Sequence, residues 1–292
     1  MAVPVTAEGT RLKRLPAILR VFRLALILAH NKGCFSTAKG AAYSGLLALF
    51  PVLSAVAAVL VHLQAGPVLQ LLTRFLRGVL PPGTETLVLS RFAESGDKPL
   101  LLLALAVFLA AWAGSGLMLS LMEGFDAVYH VAEGRPFLRQ RLRAGLLTFA
   151  TAIPALVATV LVAFGSQLED AAVRWLAGSP EGAPLAVGLV LLGAAVRFGM
   201  ACGTVVLVTC LLYLLGPNRR QSWGGVWPGA ITATVLWMSA TAGFGWYVRN
   251  LANYNVMYGS LAAVIALLAW MYVMAAVAGI GCAYNAVLER TG

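Results

Sequence analysis

The chain has 292 residues, 60% of them hydrophobic and 11% charged, with a mean hydropathy of +0.86 and a formal charge of +10. Ordinary soluble domains carry about 25% charged residues, so this composition excludes a water-soluble globular protein and identifies an integral membrane protein. Its apolar runs are continuous rather than alternating, which excludes a β-barrel and predicts an all-α, polytopic fold with a single membrane domain.

Residues 1–40 form the first unit, a cytoplasmic N-terminal segment. Its apolar stretch LPAILRVFRLALILAH is interrupted by Arg20 and Arg23, unlike the core of a cleaved signal peptide. On a helix, Arg20, Arg23 and His30 share one stripe. That pattern predicts an amphipathic helix lying in the interface beside anionic lipids.

The membrane domain follows over 41–290, with six spans expected at about 41–63, 99–122, 144–167, 184–215, 225–248 and 258–285, each long enough to cross the hydrocarbon core. Pro51 and Pro154 fall inside spans one and three, where each removes a helix hydrogen bond and frees a carbonyl. The bends expected there either line a cavity or fit the helix to its neighbours. Between spans one and two, PVLQLLTRFLRGVL runs into Pro81, Pro82 and Gly83. It reads as an outer interfacial helix, with a lid over a cavity as the alternative.

After span two, EGFDAVYHVAE places Glu123, Asp126, His130 and Glu133 at i, i+3, i+7 and i+10, one face of a helix if the helix continues. Such groups hold hard or borderline divalent cations. A solvated helix face that offsets Arg135, Arg139, Arg141 and Arg143 explains them better, so no metal or other cofactor is assigned. His30, His62 and His130 are the only histidines, and no GxSxG, HExxH or Walker pattern occurs. The expectation is therefore a protein that is not an enzyme.

Arg197 is the one charge well inside an apolar run. Intramembrane charge points to a pathway or counter-ion, whereas a helix starting near Ala194 would let it snorkel to the outer interface. Both positions fit the long run from Pro184 to Leu215. Asn285 is a weaker polar candidate near the inner end of span six. Small residues at four-residue spacing, Ala195, Gly199 and Gly203 with Gly225, Gly229, Ala275, Gly279 and Ala283, predict that spans four, five and six pack most closely. The four cysteines lack CxxC spacing and read as small apolar fillers.

The distribution of Lys and Arg sets orientation. Fourteen lie in the N-terminal segment, the 123–143 and 216–224 loops and the tail, against six in the alternate loops. Both termini are therefore expected in the cytoplasm. The rule also accounts for most of the net charge, so no nucleic-acid partner is inferred.

Before the last span, NYNVMYGS gathers Asn253, Tyr254, Asn255, Tyr258, Gly259 and Ser260. Their amides and hydroxyls suit the unpaired N–H groups of a helix start. The same positive helix end would receive a phosphate or another anionic head group. The cap and the ligand site remain alternatives at this stage.

The stretches AAYSGLLALFPVLSA (41–55), AWAGSGLMLSLMEGFDAVYHV (111–131), LLYLLGPNRRQSWGGVWPGAITATVLW (211–237) and NLANYNVMYGSLAAVIALLAWMYVMAAVAGIGCAYNAVLER (250–290) resemble, in order and spacing, the YihY/BrkB family of bacterial inner-membrane proteins. The resemblance implies six spans and a location in the inner membrane. It also implies a role in transport or flipping of lipids or lipid-linked envelope material. The family's former label, ribonuclease BN, is regarded as a misassignment and agrees poorly with the residues present here. One departure stands out. Many relatives read Gly-Ala-Glu-x-Asn-Ala near the end of the last span, where this chain has Gly281, Cys282, Ala283, Tyr284, Asn285 and Ala286.

The leading expectation is a transporter or flippase whose cavity lies near spans one, four, five and six. Its candidate lining is Tyr43, Ser44, Pro51, Arg197, Asn253, Tyr254, Asn255, Tyr258, Gly259, Ser260 and Asn285, and its partners are membrane lipids with anionic head groups. A non-catalytic scaffold is the alternative, compatible with a homo-oligomer. A membrane ribonuclease is third and disfavoured.

Overall fold

The computed structural model describes residues 17–62, 100–131, 136–176, 182–250 and 260–291. Seven helices make up nearly all of them: α1 (Ala17–Asn31), α2 (Cys34–His62), α3 (Leu100–Val128), α4 (Phe137–Leu176), α5 (Gly182–Leu215), α6 (Trp223–Asn250) and α7 (Ser260–Thr291). No strand occurs among the described residues. The 66–92 stretch, read as an interfacial helix or lid, lies outside them.

Among the described residues, four segments are both long and apolar enough to cross a membrane: Ala104–Val128, Phe137–Ala158, Val190–Leu215 and Val264–Thr291. At 29 and 28 residues, α2 and α6 are about 42 Å long at ~1.5 Å per residue, against a hydrocarbon core of ~30 Å. Several helices outrun the apolar segments expected from sequence. α2 begins at Cys34 rather than 41, and α4 covers Phe137–Leu176 rather than 144–167. Hydropathy marks the part of a helix that suits lipid, whereas backbone hydrogen bonding carries the helix on through polar residues. The chain also stays helical through Pro51 and Pro154, although proline leaves the carbonyl four residues earlier without its usual donor.

α1 and α2 are separated by one short break. Gly33 adopts φ +72 there, a left-handed conformation that glycine enters without a Cβ penalty. The Gly33 N–H donates to the His30 carbonyl, and Ser36 N–H donates back to the Gly33 carbonyl, so the break is bonded on both sides.

The closest helix pairing differs from the one expected. α2 and α3 meet along a seam of small residues whose numbers run in opposite directions. A Cβ placed on Gly40 would meet Ser120 Oγ at 3.3 Å, one on Gly116 would meet Ser44 Cβ at 3.6 Å, and one on Gly124 would meet Thr37 Oγ1 at 2.6 Å. Gly116, Ser120 and Gly124 repeat every four residues, which lets the two backbones approach where apolar burial alone gives little drive.

By contrast, among the described residues nothing covers the small-residue face expected to bury α5. No described atom lies within 4 Å of a Cβ built on Gly188, Gly199 or Gly203. Leu191, Leu192, Val196 and Phe198 around them are exposed. The expectation of a centre shared by spans four, five and six holds for α6 with α7; among the described residues the middle of α5 takes no part in it.

α7 is the core of the bundle. Every residue from Ala276 to Val287 is buried. α1, α2, α3 and α6 all pack against this helix. α1 contributes Val21, Ala25 and Ala29, a stripe at four-residue spacing that is almost fully enclosed, while Ile18, Leu19 and Ile27 remain exposed.

Candidate functional site

Polar side chains concentrate where α3, α5 and α7 end. The chain leaves α5 through Gly216, Pro217, Asn218 and Arg219, and this turn is held by α3. Asp126 Oδ1 accepts the Asn218 backbone N–H at 2.5 Å. Beside it, the Arg219 guanidinium lies 4.5 Å from the centre of the Tyr129 ring and forms an ion pair with Glu289 of α7. Arg290 Nη2 donates to the Val128 carbonyl at 3.3 Å, satisfying a carbonyl at the end of α3. The turn after α5 is thus joined to the last residues of α3 and α7. Burial holds the Tyr129 phenol above its ordinary range.

His130 lies outside this knot. α3 stops at Val128 and His130 takes φ +56, so the regular face expected through Glu123, Asp126, His130 and Glu133 is not formed. Glu123 is exposed, Asp126 bonds the Asn218 amide, and His130 Nδ1 accepts a hydrogen bond from Lys32 Nζ at 3.1 Å. The Lys32 charge above all, then partial desolvation and Arg290, disfavour a second proton on the ring and lower the His130 pKa. Glu133 lies outside the described residues, which contain no group of three or more His, Cys, Asp or Glu able to hold a metal ion.

One turn deeper, Tyr213 at the end of α5 is fully buried and donates to the Ala278 carbonyl of α7 at 2.8 Å. Its ring stands edge-on to Phe125, with centroids 5.5 Å apart. α7 also meets α6 through glycine. A Cβ on Gly229 would collide with the Gly281 carbonyl, and one on Gly281 would lie 2.8 Å from the Gly229 carbonyl.

Asn285 completes this crossing. Only 2% exposed, it accepts the Gly229 N–H on Oδ1 at 2.6 Å and donates from Nδ2 to the Val226 carbonyl at 3.1 Å. Gly229 follows Pro228, whose ring disturbs the regular ladder of α6. The asparagine amide supplies one acceptor and one donor to the backbone on either side of that proline.

The other predicted residues are dispersed. Tyr43 is exposed on α2, while its neighbour Ser44 packs against Gly116 in the α2–α3 seam. Pro51 is partly buried further along α2. Arg197 is half-buried on the uncovered half of α5, between Gly188 and Gly203. Asn253, Tyr254, Asn255, Tyr258 and Gly259 lie outside the described residues, and Ser260 is the first residue of α7. The cysteines are free, with Cys34, Cys210 and Cys282 buried.

Sequence reading missed the contacts of Asp126 with Asn218 and of Arg141 with Trp112. In the latter, Arg141 Nη2 donates to the Trp112 carbonyl at 2.7 Å while its guanidinium stacks 4.3 Å from the ring centre. The only sequence signal for either was polarity adjoining an apolar run, which names no partner.

Residues 28–292 match the family model described as Virulence factor BrkB. Among curated proteins, the chain is 31% identical over 189 residues to the ribonuclease-like protein YfkH of Bacillus subtilis, covering 65% of this chain and 66% of that one. It is 30% identical over 205 residues to a UPF0761 membrane protein of Chromobacterium violaceum, covering 70% of this chain and 45% of the relative. A UPF0761 membrane protein of Laribacter hongkongensis is 27% identical over 291 residues, 96% of this chain and 65% of the relative. The chain thus spans between under half and about two thirds of these relatives. No solved structure matches.

Proposed function

Because the chain belongs to the BrkB family of membrane proteins, we propose that it is a six-span protein of the bacterial inner membrane, with both termini in the cytoplasm, that transfers an amphipathic envelope lipid or lipid-linked precursor between leaflets. The observation that carries this reading is the uncovered middle of α5. There a row of small residues, Gly188, Gly199 and Gly203, shares one face of the helix, and no described atom lies within 4 Å of a Cβ built on any of them. Small residues in membrane helices ordinarily serve close helix contact. Left uncovered among the described residues, Gly199 and Gly203 leave a shallow recess within the membrane-crossing part of α5. Arg197, within the same membrane-crossing segment, supplies a charge that suits an anionic head group, while acyl chains remain in the surrounding lipid.

The test is transbilayer movement of a fluorescent anionic phospholipid in vesicles containing the purified protein. Faster movement, reduced several-fold by Arg197→Ala, is the expected result. Unchanged movement with a folded protein, across the envelope lipids tried, would reject the proposal.

A scaffold reading draws support from the opposite end of the bundle, where the 216–219 turn, α3 and α7 are bonded into one rigid unit. Under that reading the protein would organise partners without moving lipid. Catalysis is not part of either proposal; the ribonuclease-like name belongs to the Bacillus protein.

A further inference from the structure

A groove runs between α1 and the end of α7, away from the recess on α5. Leu24, Ile27 and Leu28 form one wall and Val287 the other, with Asn31, Arg290 and Thr291 at its polar margin and a cavity volume of about 300 Å³. Leu24, Leu28 and Asn31 follow helical spacing, so the apolar wall is one face of α1, adjacent to the Val21, Ala25 and Ala29 stripe that binds α7. Because α7 contains a membrane-crossing segment and the groove lies at its last turn, the groove opens at the level where a bilayer gives way to water.

We propose that this groove holds part of one acyl chain of an anionic phospholipid, with the phosphate at Arg290. Charge complementarity selects the occupant. Arg290 is exposed, and one of its five N–H donors is engaged by the Val128 carbonyl. That bond orients the guanidinium, whose planar fork suits a phosphate. Lys32 follows Asn31 directly, and Arg20 precedes Leu24 by one turn on the same face of α1. No carboxylate of the described residues lines the groove, and the adjacent Glu289 is paired with Arg219. The volume is too small for a whole phospholipid but suits a length of hydrocarbon between Leu28 and Val287. Ile27, exposed beside Leu24 and Leu28, widens the apolar wall of α1. A zwitterionic lipid would bring a second cation to this basic margin. The site requires only that the chain lie in a membrane, and stands whether or not the protein moves lipid.

The experiment uses the full chain in nanodiscs of phosphatidylcholine with or without phosphatidylglycerol, followed by native mass spectrometry of retained lipid after detergent release. Wild type should retain phosphatidylglycerol in preference to phosphatidylcholine. Arg290→Gln should reduce that preference roughly fivefold, the loss of one surface cation's attraction. Leu28→Trp, which fills the groove without changing charge, should reduce retention of both lipids. Thermal midpoints in lipid-free detergent verify folding, and Arg290→Lys supplies a second variant if Arg290→Gln does not fold, with an intermediate preference expected. Equal retention of the two lipids by wild type would overturn the proposal. So would wild-type retention by folded Leu28→Trp, or a stabilisation by inorganic phosphate equal to that by phosphatidylglycerol.

Discussion

Asn285 Oδ1 lies 2.6 Å from the Gly229 amide nitrogen, so a side chain near the end of α7 takes the backbone donor that follows the proline of α6. Its Nδ2 simultaneously engages the Val226 carbonyl. Asn285→Ala leaves both backbone groups without the amide in a buried site, at about 1–3 kcal/mol. Thermal unfolding in mild detergent should show a clear loss for this variant. Asn285→Asp should also unfold earlier, because it retains an acceptor but loses the donor to Val226.

Gly281 and Gly199 differ sharply in crowding among the glycines of the bundle. Gly281→Ala places a methyl group against Ala233 and the Gly229 carbonyl, each 2.8 Å from the new Cβ. Overpacking of this kind costs about 1–3 kcal/mol. Gly199→Ala meets no described atom within 4 Å and should leave the midpoint nearly unchanged. Paired melting curves check the contrast, and equal destabilisation by both variants would place a neighbour against α5.

His130 should titrate below the usual histidine range, because the Lys32 ammonium beside Nδ1 opposes a second proton. Since the folded pKa is depressed, the unfolded chain binds the proton first. The small stabilisation associated with neutral His130 is present above the unfolded pKa and is lost as pH falls through the folded one. Lys32→Ala should move the titration upward. With only three histidines in the chain, NMR of the imidazole protons, with His30→Gln and His62→Gln for assignment, measures both.

The Arg219–Glu289 pair is about one third to one half exposed, with side chains 34% and 51% accessible. Screened pairs of this type contribute about 0–1 kcal/mol. Glu289→Gln should therefore melt close to wild type, whereas Tyr213→Phe, which leaves the buried Ala278 carbonyl without its phenol donor, should lose about 1 kcal/mol. Reversal of that order in melting experiments would mean that the ion pair, and not the buried phenol, holds α5 to α7.

The helices were legible in sequence because continuous apolar runs report the solvent they require. Their ends were less so: α2 and α4 continue through residues that are polar or charged but still helical. Small-residue spacing identified Gly229, Gly279 and Ala283 as close-packed but gave the same weight to Gly199 and Gly203, since the pattern records a capacity for contact and names no neighbour. The seam that uses it most fully, Gly40 and Ser44 with Gly116, Ser120 and Gly124, went unmarked because serine supplies two of its five positions. Asn285 was visible as an odd polar residue. Its role was not, because its partners are backbone atoms 56 and 59 positions away. Asn253, Tyr254, Asn255, Tyr258 and Gly259 lie outside the described residues, so their choice between cap and ligand site rests on chemistry alone.

The enclosure of α7 also has a temporal meaning. Translation produces α1 to α6 first, yet the surfaces they turn toward Ala276–Val287 have no counterpart until the ribosome has delivered residues 260–291. Until then Tyr213 lacks its acceptor, Gly229 faces a void, and Cys34 lacks the Gly279 backbone it packs against. Biogenesis of this bundle accordingly has a late keystone: a nascent chain arrested before α7 would present its insertion machinery with helices already threaded but unable to lock.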